Sequence, residues 1–157
     1  MEEVSMSARR LNFRWISIVS AAACSLLMLV AVFGLGVEAQ ERTVWDGVYT
    51  EEQSKRGMNS YEQECAQCHL EDLLGDGIAP SLIGAPFHFR WSDLSVGDML
   101  VAIRTTMPQG APASLSPRAY SDIVAYLLQV NEFPAGDIEL PTGVDELETI
   151  IIQEDAP

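Results

Sequence analysis

Glu64-Cys65-Ala66-Gln67-Cys68-His69-Leu70-Glu71-Asp72 is the stretch that decides the reading. Two residues separate a pair of thiols, and an imidazole follows the second. Disulfide exchange, zinc binding and covalent haem attachment all use paired cysteines, and each leaves a different trace elsewhere in a chain. The third cysteine, Cys24, lies in an apolar run far upstream, so no disulfide framework is on offer. A structural zinc wants four ligands, usually as two pairs. The candidates are Cys65, Cys68, His69 and His88, and the adjacent Cys68 and His69 fit poorly around one tetrahedron. A thioredoxin-like pair sits at a strand-to-helix junction, and no strand pattern precedes Glu64. Covalent haem c is the reading that remains. Two thiols add to the two vinyl groups on one porphyrin edge, and the next residue then lies beneath the iron with a nitrogen to present. The spacing nominates Cys65 and Cys68 as thioether positions and His69 as an axial ligand of one haem c.

The opposite axial position calls for a second ligand, and methionine is the usual partner in electron carriers. Beyond the N-terminal run the chain has Met58, Met99 and Met107. Met58 and Met99 fall inside expected helices. Met107 falls in the loop Arg104-Thr105-Thr106-Met107-Pro108, where the following proline biases it toward extended backbone and lets its thioether turn inward. Met107 is therefore the expected ligand, with His88 as the rival.

Arg9, Arg10 and Arg14 precede an uncharged run from Trp15 to Val37, and Val37-Glu38-Ala39 offers small residues for signal-peptidase cleavage. Residues 1–39 read as a signal peptide or an N-terminal membrane anchor. Export suits a haem attached outside the cytoplasm, so a periplasmic location is expected, either soluble or tethered through residues 15–37. After Ala39 the chain holds six Lys/Arg against twenty Asp/Glu. That balance excludes a nucleic-acid partner and suits a partner with a basic docking patch, or serves solubility alone.

Thr50-Glu51-Glu52-Gln53 reads as an N-cap with a capping box and opens a helix to about Cys65. Leu70 to Pro86 reads as loop. Ser95 starts a second helix with Val96, Leu100 and Ile103 on one side. Ser116-Pro117 is a strong helix start for a last helix to about Val130, with Ala119, Ile123, Tyr126 and Val130 as its stripe. Past Pro134 the chain turns acidic and is broken by Pro and Gly, and the apolar Leu147–Ile152 is interrupted by Glu148 and Thr149. The expectation is an all-α domain of three or four short helices and long loops, held together by one large apolar prosthetic group.

With these residues in place, the chain resembles the class I c-type cytochromes over about Val44 to Gly136. The likeness rests on Gly57 and Tyr61, Cys65-Ala66-Gln67-Cys68-His69, Pro80, Met107-Pro108, and Tyr120 to Leu128. It implies a cytochrome c domain over 44–136 and leaves 137–157 as an acidic C-terminal tail. It implies that Gly57 and Tyr61 cross Ile123 to Leu127 at close quarters, and that the Pro80 carbonyl accepts from the Nδ1–H of His69. More narrowly, Val44 to Thr50, Arg104 to Pro108 and Asn131 to Gly136 resemble bacterial domains that accompany quinoprotein dehydrogenases, which implies such an enzyme as donor.

No acid–base or nucleophile constellation is legible. The expected role is therefore a respiratory electron carrier, not an enzyme, passing electrons from a periplasmic donor to an oxidase or another cytochrome. The alternatives are a haem-c subunit of a larger dehydrogenase or oxidase complex, and a haem-based ligand-binding sensor. Trp91, Arg90 and Arg104, which flank the second helix, are candidate contacts to the haem propionates.

Overall fold

The computed structural model describes residues 42–156. The expected leader over 1–39, with its apolar run 15–37, lies outside them. Six α-helices carry the described residues: α1 (Glu51–Glu64), α2 (Ala66–His69), α3 (Ala85–Trp91), α4 (Val96–Thr106), α5 (Pro117–Val130) and α6 (Val144–Leu147). A parallel pair of two-residue strands, β1 (Arg42–Thr43) and β2 (Ile150–Ile151), is the only sheet among them. The architecture is mainly helical, consistent with a small cytochrome c fold.

The three longest helices begin where side chains can satisfy the free N–H groups of a first turn. Thr50 Oγ1 accepts from Gln53 N at 3.1 Å. Ser95 and Asp98 exchange a reciprocal capping box at 2.9 and 3.0 Å. Ser116 Oγ accepts from Ala119 N at 3.1 Å, with Pro117 in the first turn. Helix α5 is buried over Tyr120–Leu128, almost all round, so it is the central element and the others pack on it.

Helix α1 is polar overall, yet its buried face of Gln53, Ser54, Gly57 and Tyr61 lies on α5. Gly57 makes that approach possible. A Cβ built there would stand 2.9 Å from Tyr126 Cβ and closer still to the Asp122 carbonyl. One turn on, the rings of Tyr61 and Tyr126 meet at 5.4 Å between centroids. At the rim of this crossing Arg56 forms a two-pronged pair with Asp122, both contacts 3.0 Å, and reaches Glu139 at 2.9 Å.

The segment after Gly136, expected as an acidic tail, is packed into the same unit. Leu140, Leu147, Ile150 and Ile152 are fully buried. The buried Gln53 amide donates to the Leu140 carbonyl at 3.1 Å and accepts from the Leu140 N–H at 2.7 Å. Ile152 exchanges backbone bonds with Asp93 and Leu94 at 2.8 and 2.9 Å, and Trp45 Nε1 donates to the Gln153 carbonyl at 3.1 Å. The interruption at Glu148 and Thr149 is a strand-and-turn pattern: these side chains face outward while Leu147, Ile150 and Ile152 face in.

One further helix departs from expectation. The stretch read as loop up to Pro86, with Arg90 and Trp91 leading into the second helix, contains α3. Pro86 sits in its first turn, where a missing N–H costs nothing, so the proline opens this helix.

Candidate haem site

Helix α1 ends at Glu64. The Cys65 N–H closes on the Tyr61 carbonyl at 2.8 Å, and the chain then makes one further turn, with His69 N bonded to the Cys65 carbonyl at 3.0 Å. Residues three apart on a helical turn share a side, so Cys65 and Cys68 are presented together. Burial pushes the Cys65 thiol up to about 11, with the Glu64 charge a smaller contributor. Leu70 takes a left-handed φ of 64°, and its carbonyl accepts from Tyr61 Oη at 2.7 Å. The helix crossing thus anchors the motif directly. Burial raises the Tyr61 pKa well above its ordinary value, so the hydroxyl stays a donor.

The loop that follows wraps back on His69. Gly75 N donates to the His69 carbonyl at 3.0 Å. Gly75 itself has φ +71°, and a Cβ there would fall 2.9 Å from the Pro80 carbonyl carbon, so only glycine fits. The turn brings the Pro80 oxygen to 2.9 Å from His69 Nδ1. A carbonyl can only accept, so Nδ1 carries the hydrogen and Nε2 keeps a free lone pair. His69 is buried, 7% exposed. Beyond Pro80 the loop is tied to the end of α5 by Asn131. Its Oδ1 accepts from Gly84 N at 2.9 Å, and its Nδ2 donates to the carbonyls of Leu82 and Leu127 at 3.0 and 2.8 Å.

Met107 caps the end of α4. Its N–H makes the last helical bond to Ile103 at 2.8 Å, and its backbone is extended, φ −124° and ψ 152°, as the following proline dictates.

Between these walls lies a cavity of about 790 Å³. Cys65, Cys68, His69, Pro80 and Met107 all line it, as do Arg90 and Trp91. The Arg90 guanidinium lies 5.1 Å from the centre of the Trp91 ring and makes no ion pair among the described residues. Arg104 is exposed and lies outside the lining, as does His88, which belongs to α3 and packs against Phe87 and Phe133. Of the other methionines, Met58 is exposed on α1, whereas Met99 reaches the cavity wall from within the core.

The remaining walls are apolar, with Leu82, Ile103, Ile123 and Leu127 at the back. Ile78 and Phe89 line it too, 93% and 96% exposed. Ile103 and Ile123 lie on the helical stripes read from the sequence, whereas Leu82, Ile78 and Phe89 belong to no such pattern. The donor set tests the fit to a haem. Two thiols on one side, an imidazole with its second nitrogen already engaged, a thioether and a large apolar chamber suit an iron porphyrin attached through thioethers. No cluster among the described residues suits a bare metal ion.

Comparison with known families agrees. Residues 52–127 match the family model described as cytochrome C oxidase, cbb3-type, subunit III, a span that starts in the first turn of α1, contains the whole Cys65–His69 motif and Met107, and ends in α5. The match indicates a c-type cytochrome. It implies covalently bound haem c, and Cys65 and Cys68 stand inside the matched region. Searches of the curated proteins and of the solved structures returned no match.

Proposed function

We propose that this chain is an exported single-haem electron carrier, with haem c tethered by Cys65 and Cys68 and held axially by His69 and Met107. The observation that carries the reading is the 2.9 Å contact of His69 Nδ1 with the Pro80 carbonyl, on the wall of the cavity that also bears both cysteines and Met107. Bound there, haem c supplies a one-electron couple. The rest is done by the chain. The Pro80 carbonyl fixes the tautomer and orientation of His69 and strengthens it as a donor. The loop after α4 presents Met107 from the other wall. Leu82, Ile103, Ile123 and Leu127 exclude water, which favours the less charged, reduced state. Arg90, backed by Trp91, is the cation available to a propionate.

Were His69 and Met107 both to hold the haem iron, no position on it would be left for a substrate, and the chain would serve as a carrier and not a catalyst. Its acidic surface suits a donor or acceptor with a basic docking face, and a periplasmic quinoprotein dehydrogenase is the proposed donor. The family match favours a second reading, a haem-c subunit within a terminal oxidase complex. Co-purification with a catalytic partner supports the subunit reading. A freely diffusing monomer that reduces an oxidase at full rate supports the carrier.

The direct test is the purified exported protein. Its pigment is expected to stay with the polypeptide in acidified acetone. Its oxidised spectrum is expected to carry a sulfur-to-iron charge-transfer band that is lost in Met107→Ala and kept in Met99→Leu. Release of the pigment refutes the tethers, and loss of the band in Met99→Leu alone moves the ligand to Met99.

A further inference from the structure

Residues 107–114 form an exposed loop of small side chains, among them Gly110, Ala111, Ala113 and Ser114. Little apolar burial holds it, and Pro108 contributes no N–H. Three backbone bonds close it: Ala111 N to the Pro108 carbonyl at 2.8 Å, Ala113 N to the Arg104 carbonyl at 2.9 Å and Ser114 N to the Ala111 carbonyl at 3.3 Å. Among the described residues a single side chain from outside the loop bonds to it: Tyr120 Oη donates to the Met107 carbonyl at 2.9 Å. Tyr120 is 1% exposed and stands in the first turn of α5, which Ser116 caps. The Met107 backbone is therefore held at both ends, its N–H by the last bond of α4 and its carbonyl by α5.

We propose that Tyr120 is a positioning residue for the Met107 thioether: its hydroxyl pins the loop to α5 and so sets how readily an external ligand takes the place of Met107. This rests on the reading of Met107 as axial ligand. A thioether is a neutral, weak donor, so its hold depends on how firmly the backbone keeps it in place. An entering ligand must wait for the loop to open, and its apparent affinity scales with the population of the open form. Opening breaks the Tyr120 bond in the native protein. In Tyr120→Phe that bond is already gone, and the Met107 carbonyl lacks its partner in the closed form, so opening is easier.

The test is titration of the oxidised holoprotein with imidazole, alongside its charge-transfer band. One lost hydrogen bond to a buried carbonyl corresponds to about a tenfold rise in imidazole affinity for Tyr120→Phe, with a weaker band and unchanged covalent haem content. Tyr49→Phe is the control. Tyr49 Oη donates to the Phe133 carbonyl at 2.6 Å, a comparable buried bond away from the loop, and its removal is expected to lower thermal stability while leaving imidazole affinity unchanged. A ring-fluorinated tyrosine placed at 120 alone keeps the shape and donates more strongly. It is expected to lower imidazole affinity severalfold, and it answers the question should Tyr120→Phe not accumulate. An unchanged affinity in either Tyr120 variant, or an equal rise in Tyr49→Phe, overturns the proposal. If the band survives in Met107→Ala, both this proposal and the axial role of Met107 fall. If it is lost there while the Tyr120 variants behave as wild type, only the role of Tyr120 falls.

Discussion

Asn131 is a sharp place to test how the fold holds the haem site. Its side chain is 7% exposed and makes three hydrogen bonds, one accepted from Gly84 N and two donated to the carbonyls of Leu82 and Leu127. Asn131→Ala removes all three and leaves those backbone groups short of partners. At a net 0.5–1.5 kcal/mol each, the expected loss is about 3 kcal/mol, or a fall in Tm of roughly 10–15 °C for a domain of this size. Asn131→Asp separates the contributions. It keeps an acceptor for Gly84 but turns a carboxylate toward two carbonyls, so it is expected to be at least as damaging as alanine. Thermal and denaturant unfolding of the holoprotein, followed by far-UV circular dichroism, reads both variants. An alanine variant within about 0.5 kcal/mol of wild type would mean that water replaces the side chain at no cost, and that Asn131 does not hold the loop.

Gly57→Ala is expected to destabilise despite the better helix propensity of alanine. Propensity returns about 1 kcal/mol, but the new Cβ meets the Asp122 backbone carbonyl, which no rotamer change relieves, and overpacking of this kind costs about 1–3 kcal/mol or more; a variant that melts above wild type would show that the helices separate freely. Deleting residues 142–157 removes Leu147, Ile150 and Ile152 from the core, an upper estimate of about 5–9 kcal/mol. That rivals the whole stability of an ordinary domain, so the truncated protein is expected to lose its cooperative melt, and retention of a sharp transition near the wild-type Tm would contradict the packing described. The Ser95 side-chain and backbone hydrogen bonds hold the Asp98 carboxyl below its ordinary 3.8. A depressed folded pKa stabilises above the unfolded value, so the advantage of wild type over Asp98→Asn is expected to be full above about pH 4 and to fade as pH falls further. Paired urea titrations check this, and a difference that persists unchanged into strong acid would argue against the capping box as its source.

The haem motif was legible because its chemistry demands fixed residue types at fixed spacing, and α5 because Ser116-Pro117 and the stripe through Ile123 and Tyr126 mark it from both ends. The extended backbone of Met107 followed from Pro108 alone. Other features escaped for identifiable reasons. Helix α3 is short and opens on a proline, so Gly84-Ala85-Pro86 reads as loop. The docking of Leu147–Ile152 depends on two-residue strands whose partners lie more than a hundred residues away, and no local pattern encodes that pairing. Gln53, Tyr120 and Asn131 hold backbone partners 87, 13 and up to 49 residues away, and a polar residue on or beside a helix gives no sign of whether it faces water or a buried carbonyl. Arg104 looked equivalent to Arg90 by its place beside α4, but the rotation of that last turn puts it outside the cavity.

The pairing of β1 with β2 has a consequence for how such a unit can be joined to other chains. Arg42 lies beside Ile150 and Thr43 beside Ile151, so the first strand of the described polypeptide is paired with its last, about 5 Å away across the pair. A host protein could carry the unit as an insertion in one of its surface loops, with short connectors and no need to open the fold. Because the two strands run parallel, the chain enters at one end of the pair and leaves β2 at the other.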